Sequence, residues 1–122
     1  MNLSVPSTTP DTPLAGAVYS VNDGEGRYWI AKVLVVDQDG VHIRLYKNKF
    51  GERPFRVDVS SLDLGSIHGP DGFGMGHMPL THAAFSAWEP VFLVATGVDD
   101  EELEGYLYWK EAQGGYFGGP AH

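Results

Sequence analysis

Histidines His68, His77 and His82 flank a glycine-rich stretch, with Asp71 between the first two. Imidazole and carboxylate are ligand types for zinc and similar ions, so a metal-dependent protein or small enzyme built on this loop is one reading. The spacing argues against it. His77 and His82 are five apart and do not share a helical face, and the chain has no His-Glu-x-x-His motif. Gly72-Phe73-Gly74-Met75-Gly76 invites a phosphate reading, but no Lys or Arg lies between Arg56 and Lys110, and His77 stands where a dinucleotide fingerprint needs its third glycine. Ser60, Ser61, Ser66 and Ser86 are outside any Gly-x-Ser-x-Gly turn. Neighbouring acids on a helix point apart, so Asp99-Asp100-Glu101-Glu102 reads as a solvated helix start and not an acid/base pair. The chain is therefore read as non-catalytic, with no metal and no cofactor.

The aromatic residues carry a different chemistry. Arg27 to Leu45, RYWIAKVLVVDQDGVHIRL, reads as two strands joined at Asp39-Gly40, where glycine accepts positive φ cheaply. A two-residue turn there pairs Val36 with Ile43 and Leu34 with Leu45, an apolar side expected to face the core. The other side carries Asp37 beside His42, Val33 beside Tyr46 and, further on, Trp29 near Phe50. A slip of one residue would exchange the two sides. The same register sets Lys32 against Lys47, so the ladder is expected to bend, bulge or end there. Trp29, Tyr28, Tyr46 and Phe50 are the candidate binding residues, because aromatic anchors dominate many interfaces. Asp99, Asp100, Glu101 and Glu102 are the candidate acidic edge.

Several elements must position these residues. Met1 to Ala15, with Pro6, Pro10 and Pro13 among Ser and Thr, reads as a flexible leader. Ala17 to Val21 reads as a short strand, and Phe55 to Val59 as another that points Phe55, Val57 and Val59 inward. Leu64 to Met78 reads as a long loop, because glycines and Pro70 interrupt any period. Thr81 is expected to cap a helix over His82 to Trp88 that stops before Pro90. Val91 to Ala95 is a continuous apolar run, best read as a buried strand. Residues 99–113 read as an amphipathic helix with Asp99 and Glu102 as a capping pair and Gly114 as terminator; a strand over Tyr106 to Trp109 is the competing reading. Gly114 to His122 is a glycine-rich tail.

Tyr28-Trp29-Ile30-Ala31-Lys32-Val33, followed by Asp37 and Val41-His42-Ile43, resembles the strands of Tudor-like domains within the SH3-like small barrels, over roughly residues 16–60. That resemblance implies an aromatic cage for methylated lysine or arginine, with Tyr28, Trp29 and Tyr46 as possible walls and no full cage matched. The pattern of a bent sheet plus an acidic C-terminal helix also looks like small bacterial immunity proteins, which bind a toxin and are non-catalytic.

The 122 residues suit one domain, expected over 16–113, and the chain holds no cysteine, so disulfides are excluded and a reducing, cytoplasmic compartment is the natural reading. The first residues lack both a basic start and an apolar run, which argues against a secretory signal, and no stretch of the sequence approaches the roughly 20 apolar residues that would cross a bilayer. A formal net charge of -8 disfavours nucleic acid and anionic membranes and favours a basic protein partner. The expected fold is α+β: a strongly bent antiparallel sheet, an SH3-like partial barrel, with two short helices. The expected function is a protein-interaction module, immunity-like, with an accessory subunit of a larger complex as a further alternative.

Overall fold

Alternating apolar side chains set up the strands, and side-chain caps set up the helices. In the computed structural model, which describes residues 13–65 and 74–118, the strands are β1 (Ala17–Asn22), β2 (Tyr28–Val36), β3 (Gly40–Phe50), β4 (Met75–Thr81) and β5 (Val91–Ala95). The helices are α1 (His82–Ala87) and α2 (Glu104–Glu111). The strands form one antiparallel sheet in the order β4-β3-β2-β1-β5, so the fold is α+β and the sheet is open, with β4 and β5 as its edges.

The β2–β3 register differs from the expected one. Val36 pairs with Val41, Val33 with Ile43, Lys32 with Arg44 and Ala31 with Leu45. The connection is the three residues Asp37 to Asp39, not a turn centred on Asp39-Gly40. Asp37 causes this: its Oδ1 accepts the amides of Asp39 and Gly40, each at 2.9 Å, which closes a wider turn than Asp39-Gly40 alone would make. Bulges at Leu34 and between Trp29 and Ala31 then shift the ladder, as the clash of Lys32 with Lys47 had suggested.

These shifts reassign the two sides of the sheet. Tyr19, Val21, Ala31, Val33, Val41, Ile43, Leu45, Leu80 and Phe85 form the main core, with Trp29 and Trp88 packed against it. Helix α1 lies on this side, and Phe85 meets Tyr19 edge to face at 5.7 Å. Val18, Ile30 and Tyr46 form a second core, covered by Phe50, Val57, Leu62, Leu64, Leu93 and Val94. Trp29 and Tyr46 thus belong to opposite sides, not to one exposed face. Tyr46 is only 7% exposed.

Two elements are corrected. Met75–Thr81 is an edge strand, although the loop was expected to run to Met78; Pro79, with no N–H to donate, is tolerated there because among the described residues its outer side meets only Phe117, whose amide donates to the Pro79 carbonyl at 2.9 Å. Phe55 to Val59 is not a strand: Phe55 is 84% exposed, and a short 3-10 turn covers Val59–Ser61. Asp58 captures the Ser60 amide and hydroxyl, which favours a turn over an extended strand. Helix α1 is capped by Thr81 Oγ1 on the Ala84 amide at 3.0 Å. Helix α2 is shorter than expected, but its capping pair forms: Asp99 N–H donates to Glu102 Oε1 at 3.1 Å and Glu102 N–H to Asp99 Oδ1 at 2.9 Å. Among the described residues, no helix is long and apolar enough to cross a membrane.

Candidate functional site

The structure places two features of chemical interest on opposite sides of the sheet. The first is a cleft on the α1 side. Its volume is about 210 Å³, and its walls are Val21, Asn22, Asp23, Trp29, Leu45, Met78 and Trp88. The β1–β2 turn and the end of α1 hold it open. The Asn22 amide donates to the Trp88 carbonyl at 2.7 Å, and Asn22 Nδ2–H donates to Glu89 Oε1 at 2.9 Å. Asp23, one of the lining residues, accepts the Trp29 indole N–H at 3.0 Å. The Glu25 amide and that indole hold the Asp23 carboxyl below its ordinary range, so it stays ionised.

The second feature is a buried polar centre on the α2 side. His42, fully buried, presents Nε2 to Asp37 Oδ2 at 3.0 Å and to the Tyr116 hydroxyl at 3.1 Å. Tyr116 donates its hydroxyl proton to the same Asp37 oxygen. A carboxylate only accepts, so His42 Nε2 carries the proton. With His42 neutral, its Nδ1 accepts the His77 Nε2–H at 3.0 Å, and the unprotonated nitrogen of His77 is Nδ1. The two imidazoles are nearly parallel, 9° apart with centroids at 5.2 Å. Tyr106 and Trp109 of α2 meet His42 edge to face at 4.7 and 4.4 Å. His82 Nε2–H donates to the Asp37 carbonyl at 2.8 Å.

Burial disfavours charge on this pair. His77 is lowered to about 4 by burial and by the neighbouring His42. His42 is lowered by burial, against the pull of Asp37. Burial works to raise Asp37, but bonds from Tyr116, His42, Gly40 and Asp39 outweigh it and hold its carboxyl at about 2. Tyr116 is raised by burial and by that carboxylate. The centre therefore rests as an ionised Asp37 with two neutral imidazoles.

Close approach of backbone to ring makes the centre possible. A Cβ on Gly40 would stand 2.8 Å from the Tyr116 ring, and one on Gly105 would stand 2.6 Å from His77 Cβ. A buried ion pair adds a further tie. Lys32 Nζ donates to both Glu102 oxygens at 2.9 Å and to the Gly97 carbonyl at 2.6 Å.

The expected site residues do not come together. Tyr28 carries Arg53 over its ring at 4.7 Å and Trp29 carries Lys49 at 4.5 Å, while Tyr46 and Phe50 pack in the second core. Their ring faces are already occupied by the chain's own cations or covered, so Tyr28, Trp29 and Tyr46 form no cage. Glu102 turns inward to Lys32, on the side of the sheet opposite Trp29, so the acids of 99–102 do not rim the tryptophan. His77 and His82 point to different partners, and His68 and Asp71 lie outside the described residues. Among the described residues no three His, Cys, Asp or Glu side chains are grouped so as to hold a metal ion. The Asp37–His42 neighbourhood was readable in the sequence, whereas Trp88, Met78, Tyr106, Trp109 and Tyr116 were missed. Aromatic spacing on the last helix, Tyr106 and Trp109 three apart, was the available signal.

Compared with known proteins, the chain matches no family model, and no curated protein or solved structure matches it.

Proposed function

We propose that the protein is a non-catalytic interaction module that binds a basic protein partner through the cleft between Trp29 and Trp88. The observation that carries this reading is the cleft itself. Five of its seven lining residues are apolar, its volume of about 210 Å³ suits one large side chain, and the ionised Asp23 is part of its wall. The expected patch of Tyr28, Trp29, Tyr46 and Phe50 with an Asp99–Glu102 rim gives way here to a different grouping, Trp29 and Trp88 beside Asp23. A partner would insert an apolar side chain and set a lysine or arginine against Asp23, with the net charge of -8 steering the approach. An immunity-like role, in which this acidic surface covers a basic protein, is the biological form of the proposal. The SH3-like character of the sheet belongs to the same reading, and register shifts in three of its four ladders support a strong bend.

Affinity capture from the native host at low and high salt, followed by titration of the recovered protein, tests this. Trp88→Ala and Met78→Gln are expected to abolish binding while circular dichroism stays that of the parent, and high salt is expected to weaken it. Binding that survives both substitutions in a folded protein would refute the cleft.

A further inference from the structure

Helix α2 has two unlike sides. Tyr106 and Trp109 face the sheet, pack on His42, and are half-buried. Glu104, Leu107, Tyr108 and Glu111 are three or four residues apart, so they fall on one stripe of the opposite side. All four are exposed, Leu107 at 57% and Tyr108 at 69%. Two large side chains are thus held in water between two carboxylates, while Tyr106 and Trp109 on the inner side seat the helix.

We propose that this stripe docks a partner protein whose contact surface is a groove with an apolar floor and lysine or arginine rims. Charge selects that occupant. Asp99 to Glu111 contains six acids against one lysine, and among the described residues only Glu102 of these acids pairs with a cation of the chain. A second copy would bring the same acids against each other, and an anionic lipid or nucleic acid would be repelled. Rigidity favours the same use. The helix is held by the His42 contacts, by the Trp109 indole N–H on the Gly115 carbonyl at 2.9 Å, and by the Lys32–Glu102 pair. A helix already fixed loses little freedom on docking, so its two anchors deliver more of their contact energy as affinity. The inference rests on the protein-partner reading above but not on the cleft.

The test places a photoactivatable benzoyl-phenylalanine at Tyr108 of the full chain in its host, with the same probe at Phe55 as control. Expected is a product at 108 and none at 55, containing a basic protein that binds the parent chain when purified. Leu107→Ser with Tyr108→Ser is expected to weaken that binding by roughly thirtyfold at unchanged melting temperature. Glu104→Gln with Glu111→Gln is expected to slow association about tenfold at low salt and to flatten its salt dependence. No product at 108, a product with a second copy or with an acidic protein, or parent-like binding by the serine pair overturns the proposal. Loss of binding in the serine pair with parent-like binding in Trp88→Ala and Met78→Gln sinks the cleft alone; the reverse pattern sinks the stripe alone.

Discussion

His77 donates its Nε2–H to His42 Nδ1 across 3.0 Å, and both rings are held neutral between an ionised carboxylate and two aromatic edges. This pair makes the fold sensitive to acid. The folded pKa of His77, about 4, lies below its ordinary 6.5, so the folded state resists the protonation that the unfolded chain accepts. The stability it protects is complete above pH 6.5 and falls as pH drops from 6.5 to 4, with a loss on the order of 2–3 kcal/mol. His42, also lowered, adds to the loss with the same sign. Asp37 acts lower down: stability tied to its carboxylate is full above its ordinary 3.8 and lost as pH falls through about 2. Thermal melts from pH 3 to 8 are expected to show the decline, and His77→Gln, whose amide can still donate to His42, is expected to flatten it between 4 and 6.5.

Gly105→Ala separates helix propensity from packing. In an exposed helix the change would stabilise by about 1 kcal/mol. Here the new methyl meets His77 Cβ at 2.6 Å, so helix or strand must shift to admit it. The expected net effect is a loss of about 1–3 kcal/mol in denaturant unfolding. A gain would show that α2 is not seated on His77.

Lys32 and Glu102 stand or fall together. Their side chains are 9% and 12% exposed, so Glu102→Ala leaves a buried ammonium with only the Gly97 carbonyl and is expected to cost about 3 kcal/mol. Lys32→Met combined with Glu102→Met is expected to restore most of that loss, read from urea midpoints.

Gln113 follows α2 with φ +55°, a left-handed position that suits glycine. It is exposed. Gln113→Gly is expected to stabilise by about 0.5–1 kcal/mol, visible as a rise of a few degrees in melting temperature.

Much of the fold was legible because local signals were strong. Val91 to Ala95 forms a strand as its apolar run suggested, though as an edge strand it is half-buried and not the buried strand expected; Thr81 caps the helix it precedes, and the Asp99–Glu102 pair forms ahead of α2. Legibility failed where a side chain outside the pattern decided the geometry. Asp37 reaches into its own turn and widens it, which changes the register and separates Trp29 from Tyr46. Met75 to Thr81 hid its strand behind glycines and Pro79, because an edge asks for half the ladder bonds a central strand needs. The His42 centre is the least local feature of all: its partners come from the β2–β3 turn, from β4, from α2 and from the tail, and no window of sequence contains them together.

The bond from Tyr116 to Asp37 spans 79 positions. A ribosome will have released the whole sheet before that hydroxyl emerges, so the nascent chain carries an uncapped carboxylate and an imidazole still open to water. Maturation must therefore finish from the carboxyl end, with arrival of Tyr116 as the step that dries the centre.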